Sequence, residues 1–293
     1  MAEPEITEIG TQELRVAVSD LGAEMQALSH LGRALLWHGD AAWWGGRSPV
    51  LFPIVGRAPE DRISVGGAGA GMSQHGFARR RIFERVAVAP DQVTHRLVAD
   101  AETRAVFPRD FELSLTHRVE GSSLSVAAEV ANPGEVDLPF GLGFHPAFCW
   151  PLPGAEGLPH RVVLENGAAP QVTRLSDGLL TAGREDSPFR GGEMVLDPAL
   201  FEANALVFEE GTGAVLRYGA DRGPVLRFEM ENLPRLGIWQ PPGAPFICIE
   251  PWHGIAARLG AGPAIEDRPG TVTLAPKEAM RFVWSVTVEP GWG

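Results

Sequence analysis

Glycine and proline set the first constraint on this chain: 35 glycines and 25 prolines are spread through all 293 residues. Proline lacks an N–H and clashes with the preceding turn, and glycine in a helix costs backbone entropy, so long helices would not survive that density. Between the breakers lie short apolar runs that alternate with period two. The clearest are Leu113–Val119 and Leu124–Val130, joined through Glu120-Gly-Ser-Ser and closed by Asn132-Pro-Gly134. Alternate residues of a strand face opposite ways, so the segment predicts an antiparallel hairpin with one polar face.

Similar strand signals fall at 14–18, 81–88, 93–98, 205–209, 214–218, 225–230, 246–250 and 281–288, and helical periodicity is nowhere sustained. Strands in such number, without alternating helices, predict an all-β chain built as a large antiparallel sandwich. An apolar share of 44% supplies material for a large core. No low-complexity linker or charge block divides the chain, so one domain over 1–293 is expected, with Gly66–Gly71 as a mobile loop.

Charge narrows the partners. A formal net charge of -12 opposes nucleic acid and anionic membrane surfaces, which need a field of the opposite sign. The first ten residues are acidic and lack an apolar run, and no stretch approaches the ~20 apolar residues of a membrane span. Cys149 and Cys248 sit in separate apolar segments, as reduced core cysteines do, which makes a reducing cytoplasm the expected address. A small neutral ligand is the expected partner, and the sequence leaves monomer or homodimer open.

Nucleotide and common metal motifs are missing. Gly66-Gly-Ala-Gly-Ala-Gly71 lacks the G-x-G-x-x-G spacing and a following helix, and there is no H-E-x-x-H, G-x-S-x-G or paired C-x-x-C. Any chemistry must come from scattered residues that the fold assembles. Glu250 is read as ending the unbroken apolar run Phe246-Ile-Cys-Ile, before Pro251 stops it. A run apolar on both faces is a covered central strand, so this carboxyl stands in a poorly solvated cleft where its pKa rises toward that of a general base. Singly, a glutamate paired with arginine at a sheet edge fits as well.

His145 lies between aromatic residues in Gly141-Leu-Gly-Phe-His-Pro-Ala-Phe148, with Pro146 fixing the chain after it. His75 follows the glycine-rich stretch in Gln74-His-Gly-Phe-Ala-Arg79, and Arg57 closes Pro53-Ile-Val-Gly-Arg57. Each has an ordinary structural alternative: a hydrogen-bonded core histidine, a loop histidine, a surface ion pair. Together, embedded in Gly/Pro-fixed apolar segments, they point to a positioned site. Of eight tryptophans, against a single tyrosine, six flank these segments (Trp37, Trp43, Trp44, Trp150, Trp239 and Trp252), and one or two of them can stack on a sugar face.

Four motifs in order, Ser48-Pro-Val-Leu-Phe-Pro-Ile-Val-Gly-Arg57, His75-Gly-Phe-Ala-Arg79, Gly143-Phe-His-Pro-Ala-Phe148 and Cys248-Ile-Glu-Pro-Trp-His-Gly254, resemble the aldose 1-epimerase family, in its bacterial branch with the C-I-E-P-W motif. The resemblance runs from about Trp37 to Leu274. It implies a galactose-mutarotase-like β-supersandwich, a cytoplasmic isomerase of carbohydrate metabolism with no organic cofactor and no metal. It also implies Glu250 as general base, His145 as general acid, and Arg57 and His75 as sugar contacts. Arg79 and Trp252 are added as candidate substrate contacts. One departure is Asn204, in Leu200-Phe-Glu-Ala-Asn-Ala-Leu-Val-Phe208, where relatives place a hydroxyl-binding aspartate; asparagine loses the charge and adds a donor.

The implied reaction interconverts the α and β anomers of a free hexose by acid/base ring opening, with Glu250 and His145 on opposite sides of one sugar-sized pocket. Three other readings compete. A hexose-6-phosphate 1-epimerase would need cations, and Arg79, Arg80 and Arg81 cluster, although alternation along a strand would turn Arg80 away from the other two. A carbohydrate-binding protein without turnover would keep the cleft but not the pair. A metal site from His75, His145 and Glu250 finds no support in local spacing.

Overall fold

In the computed structural model, which describes residues 4–292, Glu112–Glu120 pairs antiparallel with Ser123–Ala131, Leu115 opposite Ala128 and Val119 opposite Leu124. This hairpin lies within a nine-stranded antiparallel sheet. Its order is Glu193–Val195, His160–Leu164, Val215–Ala220, Val225–Glu231, Ala279–Glu289, Ser123–Ala131, Glu112–Glu120, Gln92–Val98 and Glu84–Ala89. Burial alternates along these strands, so Leu113, Leu115, Leu124, Val126, Phe282, Trp284 and Val286 form an inner face and their neighbours meet solvent.

Against that face packs an eight-stranded sheet. It runs Leu179–Glu185, Val172–Ser176, Leu206–Phe208, Arg235–Trp239, Phe246–Trp252, Gly143–Phe144 and Val50–Leu51, with Ala147–Cys149 also paired to Phe246–Trp252. Phe148 meets Phe228 edge-on at 5.1 Å, and Phe144 meets Trp284 at 6.1 Å, joining the two sheets through aromatic contacts. A four-stranded sheet from Ile6–Gly10 to Arg33–Ala34 adds Leu14, Val16 and Val18 to the same core. Among the described residues the only α-helix is Ala101–Val106, capped by the Asp100 side chain, which accepts from Thr103 N–H.

The Gly66–Gly71 stretch is not a loop. Ala68–Gly71 pairs with Arg62–Val65, and the two-residue connection is Gly66-Gly67 with φ of 57° and 83°. Two consecutive left-handed residues make the tight hairpin turn whose twist matches its strands, and glycine enters that region without steric cost. Flexible composition here marks a turn requirement.

His117 occupies an inward position between Leu115 and Val119, and its Nδ1 has no hydrogen-bond partner. Burial drives its pKa down to about 3 from an ordinary 6.5. The unfolded chain therefore takes up a proton below pH ~6.5 that the folded chain refuses until about 3, and this contribution to stability is lost as pH falls through that window. Urea midpoints measured from pH 7 to 3.5 are expected to fall less steeply in His117→Leu than in the wild type; equal slopes would remove His117 as a cause of acid lability.

Candidate active site

The strand Phe246–Trp252 is buried over its whole length and divides its side chains between two environments. Ile247 and Ile249 enter the core between the sheets, while Phe246, Cys248, Glu250 and Trp252 face the other way. The neighbouring strand repeats the division, with Leu236 and Ile238 inward and Gly237 and Trp239 outward. Period two thus delivers one carboxyl to the floor of a cleft that is otherwise apolar.

Pro251 does not stop this strand, contrary to the sequence reading. Ile249 N–H donates to Pro146 O on one side, and Pro251, two residues on, faces the same side where the ladder breaks between the Ala147–Cys248 and Gly143–Trp252 pairs. A residue without an N–H costs nothing where no partner requires one. The strand therefore continues to Trp252. A Cβ on Gly237 would stand 2.4 Å from the Trp252 ring and one on Gly143 2.5 Å from it, so only glycines let the indole lie flat across both neighbours as part of the floor.

The cleft has a volume of about 620 Å³, within the size range of small-molecule sites, and His75, Arg79, His145, Gln240, Glu250 and Trp252 all line it. His145 and Glu250 do not stand on opposite sides. His145 Nε2 lies 3.2 Å from Glu250 Oε2, and this is the one side-chain polar contact of the Glu250 carboxyl among the described residues. Both are buried. Burial pushes the Glu250 carboxyl well above the usual carboxylate range and, with Arg79 nearby, drives the His145 imidazole down to about 3. Both shifts favour the uncharged forms of the two groups, and their 3.2 Å separation is short enough for a proton to pass between the carboxyl and Nε2.

Aromatic rings fix the imidazole. Trp44 lies against it at 4.7 Å, and Trp239 and His75 approach edge-on at 5.8 and 5.5 Å. His75 is tied to the Gly56 backbone in both directions: its N–H donates to Gly56 O at 2.9 Å, and Gly56 N–H donates to its Nδ1 at 3.1 Å. With Nδ1 accepting and burial lowering its pKa well below 6.5, the ring is neutral and carries its proton on Nε2, 3.2 Å from the Gln74 side-chain amide, whose oxygen rather than its nitrogen must then face it.

The remaining candidates separate. Arg79 is half-buried in the cleft wall and has no hydrogen bond or ion pair among the described residues. Arg80 also borders the cleft, held to Ser73 Oγ and Gly76 O, whereas Arg81 turns away to Asp100 and Glu102. The alternation expected for these arginines fails because Ala78–Arg80 is a 3₁₀ turn, and the strand begins only at Glu84. Arg57 stands outside the cleft lining; Asp61 holds its guanidinium bidentately at 2.7 Å, and Asp177 O accepts from it. Asn204 lines the cleft in a left-handed conformation with φ of 74°, its Oδ1 accepting from Ala205 N–H, so its amide NH₂ is the end left for a ligand.

Two residues of the site escaped the sequence reading. Gln240 is buried; its Nε2 donates to Ala244 O at 2.6 Å and its Oε1 has no partner. The available signal was a polar residue pinned between Trp239 and the Pro241-Pro242 pair. Arg268 is buried behind the cleft, its Nη2 donating to Val55 O and Ile255 O, and thereby clamps the two segments that carry Gly56 and Ala256 into the wall. Nothing local in Asp267-Arg-Pro269 distinguishes it from a surface arginine.

A sequence profile of the aldose 1-epimerases matches residues 5–287. The chain belongs to the aldose 1-epimerase family. It is 27% identical to the LacX protein (chromosomal) of Lactococcus lactis subsp. lactis, over 96% of this chain and 98% of that one. Among solved structures, a galactose mutarotase related enzyme from Lactobacillus acidophilus superposes with a TM-score of 0.92 at 29% identity, covering 97% of both chains. A galactose mutarotase-like protein from Lactobacillus casei superposes at 0.90 with 26% identity, covering 97% of this chain and all of that one. The family's galactose-mutarotase-like sandwich is the fold described above, and the family is one of carbohydrate epimerases. No helix among the described residues is long and apolar enough to cross a membrane.

Proposed function

We propose that the protein is an aldose 1-epimerase that interconverts the α and β anomers of a free hexose, with Glu250 and His145 as its proton-transfer pair. The observation that carries this reading is the 3.2 Å contact between a buried carboxyl and a buried imidazole lining a cleft of sugar-binding size. Anomer exchange requires a proton to leave the C1 hydroxyl and another to reach the ring oxygen, so one base and one acid suffice.

The pair reacts as carboxylate and imidazolium, reached when its single proton moves from Glu250 to His145 Nε2. The face of Trp44 against the imidazole favours the cationic form through the ring quadrupole. Glu250 then takes the C1 hydroxyl proton while His145 protonates the ring oxygen; the bond between C1 and that oxygen breaks and the open aldehyde forms. Rotation about C1–C2 and the reverse transfers yield the other anomer, leaving the pair as it began. His75 Nε2–H, Arg79 and the Asn204 amide donate to sugar oxygens, Trp252 offers an apolar floor, and Arg57 acts by bracing its loop through Asp61. The direct test is polarimetry: fresh α-glucose and α-galactose should lose optical rotation faster with the protein than without it, and an unchanged rate with both would remove the reading.

Gln240 extends it. Its Oε1 is unpartnered and shut off from solvent, so when substrate entry shifts the side chain to expose it, a donating hydroxyl restores a bond rather than exchanging one for water. Gln240→Met is therefore expected to raise KM on the order of 10-fold, with a smaller change in kcat. Saturation curves for the two proteins check this, and an unchanged KM would take Gln240 out of substrate binding.

A second reading, a hexose-6-phosphate 1-epimerase, is favoured by Arg79 and Arg80: two cations border the cleft, and neither is in an ion pair with a carboxylate among the described residues. Comparing kcat/KM for glucose and glucose 6-phosphate separates the two, the free sugar being the better substrate if the first holds.

A further inference from the structure

Cys248 precedes Glu250 by one strand repeat on the same face, is fully buried, and has no part in the ring-opening chemistry. It has no disulfide partner. Its Sγ, a Glu250 carboxylate oxygen and a His145 imidazole nitrogen all lie within 4.8 Å of one another, and the nitrogen and oxygen stand 3.2 Å apart. Around tetrahedral zinc, with bonds of ~2.0–2.3 Å, donor atoms are separated by roughly 3.3–3.7 Å. The trio therefore approaches that arrangement before any ion arrives, and the cleft that His145 and Glu250 line supplies the open fourth position.

We propose that His145, Cys248 and Glu250 form an inhibitory site for soft divalent cations of the zinc class. Thiolate, imidazole and carboxylate together select zinc or cadmium over magnesium or calcium, which take oxygen donors. The exchange balances. The Cys248 thiol gives up its proton on binding, and thiolate and carboxylate then carry two negative charges that a dication neutralises beside a neutral imidazole, so the occupied site is neutral overall. The ion occupies both proton-carrying atoms, so turnover stops while it is bound. That consequence rests on the proton-transfer reading of the pair; the seating of the ion does not.

The test titrates chelator-treated protein with cadmium chloride, reading the ultraviolet charge-transfer band of a cadmium–thiolate bond and, in parallel, mutarotation. The wild type is expected to develop a saturable band at one ion per chain, to lose activity along the same curve, and to regain it with EDTA. Cys248→Ala should lose the band, keep its metal-free activity, and need at least ~10-fold more cadmium for the same inhibition. Cys149→Ala should behave as wild type. The proposal is overturned if the wild type shows no saturable band, if Cys248→Ala keeps it, if both are inhibited equally, or if zinc accelerates the reaction. Should the protein have no mutarotase activity at all, the band and its loss in Cys248→Ala and His145→Asn still decide the site.

Discussion

Glu250→Gln is expected to lower the mutarotation rate by ~100- to 10,000-fold, the range a positioned proton-transfer group contributes, while leaving the fold intact. The amide matches the carboxyl in shape but cannot take a proton from the C1 hydroxyl. Stability should hold because burial already favours the uncharged carboxyl, which the neutral amide imitates, and the amide can still meet His145 Nε2. Thermal melting should accordingly place Glu250→Gln at or above the wild type, and polarimetry on α-glucose and α-galactose should show the loss for both sugars. Wild-type rates in a folded Gln variant would exclude Glu250 as the base.

His145→Asn is expected to cost a comparable ~100- to 10,000-fold, and the double variant with Glu250→Gln should lose little more than either single one. The two groups stand 3.2 Å apart, so removing either leaves the other without its partner, and residues that act as a unit give strongly non-additive losses. The same measurement separates the pair from independent contributors: if the two losses multiplied, His145 and Glu250 would be acting on separate steps. Asparagine also vacates the space against Trp44 and between Trp239 and His75, so the single variant is compared at matched folded fraction.

Much of the strand content was legible because alternation reports a half-buried strand directly. Leu113–Val119 and Leu124–Val130 pair as read, and the unbroken apolar run before Glu250 is covered on both faces. The errors came where a residue's local meaning depends on its neighbours in space. Proline reads as a strand end, yet Pro251 faces a gap in the ladder; six residues rich in glycine read as a loop, yet Gly66-Gly67 make a hairpin turn. Strand alternation does not govern the three arginines after Ala78, because they precede a strand that begins at Glu84 rather than Arg81, and Arg80 therefore borders the cleft.

The all-β class, the order of the motifs and the chemical types at Glu250, His145, His75, Arg79 and Trp252 can be read along the chain, because periodicity and residue chemistry are local properties. Folding in three dimensions is what holds Arg57 to Asp61 away from the cleft, leaves Gln240 Oε1 buried without a partner, and brings His145, Cys248 and Glu250 together. His145 lies far along the chain from Cys248 and Glu250, and although Arg57 and Asp61 are only four residues apart, these contacts depend on how the surrounding chain packs. They are set by strand register and by which ion pairs and hydrogen bonds satisfy buried groups, and no local pattern records either.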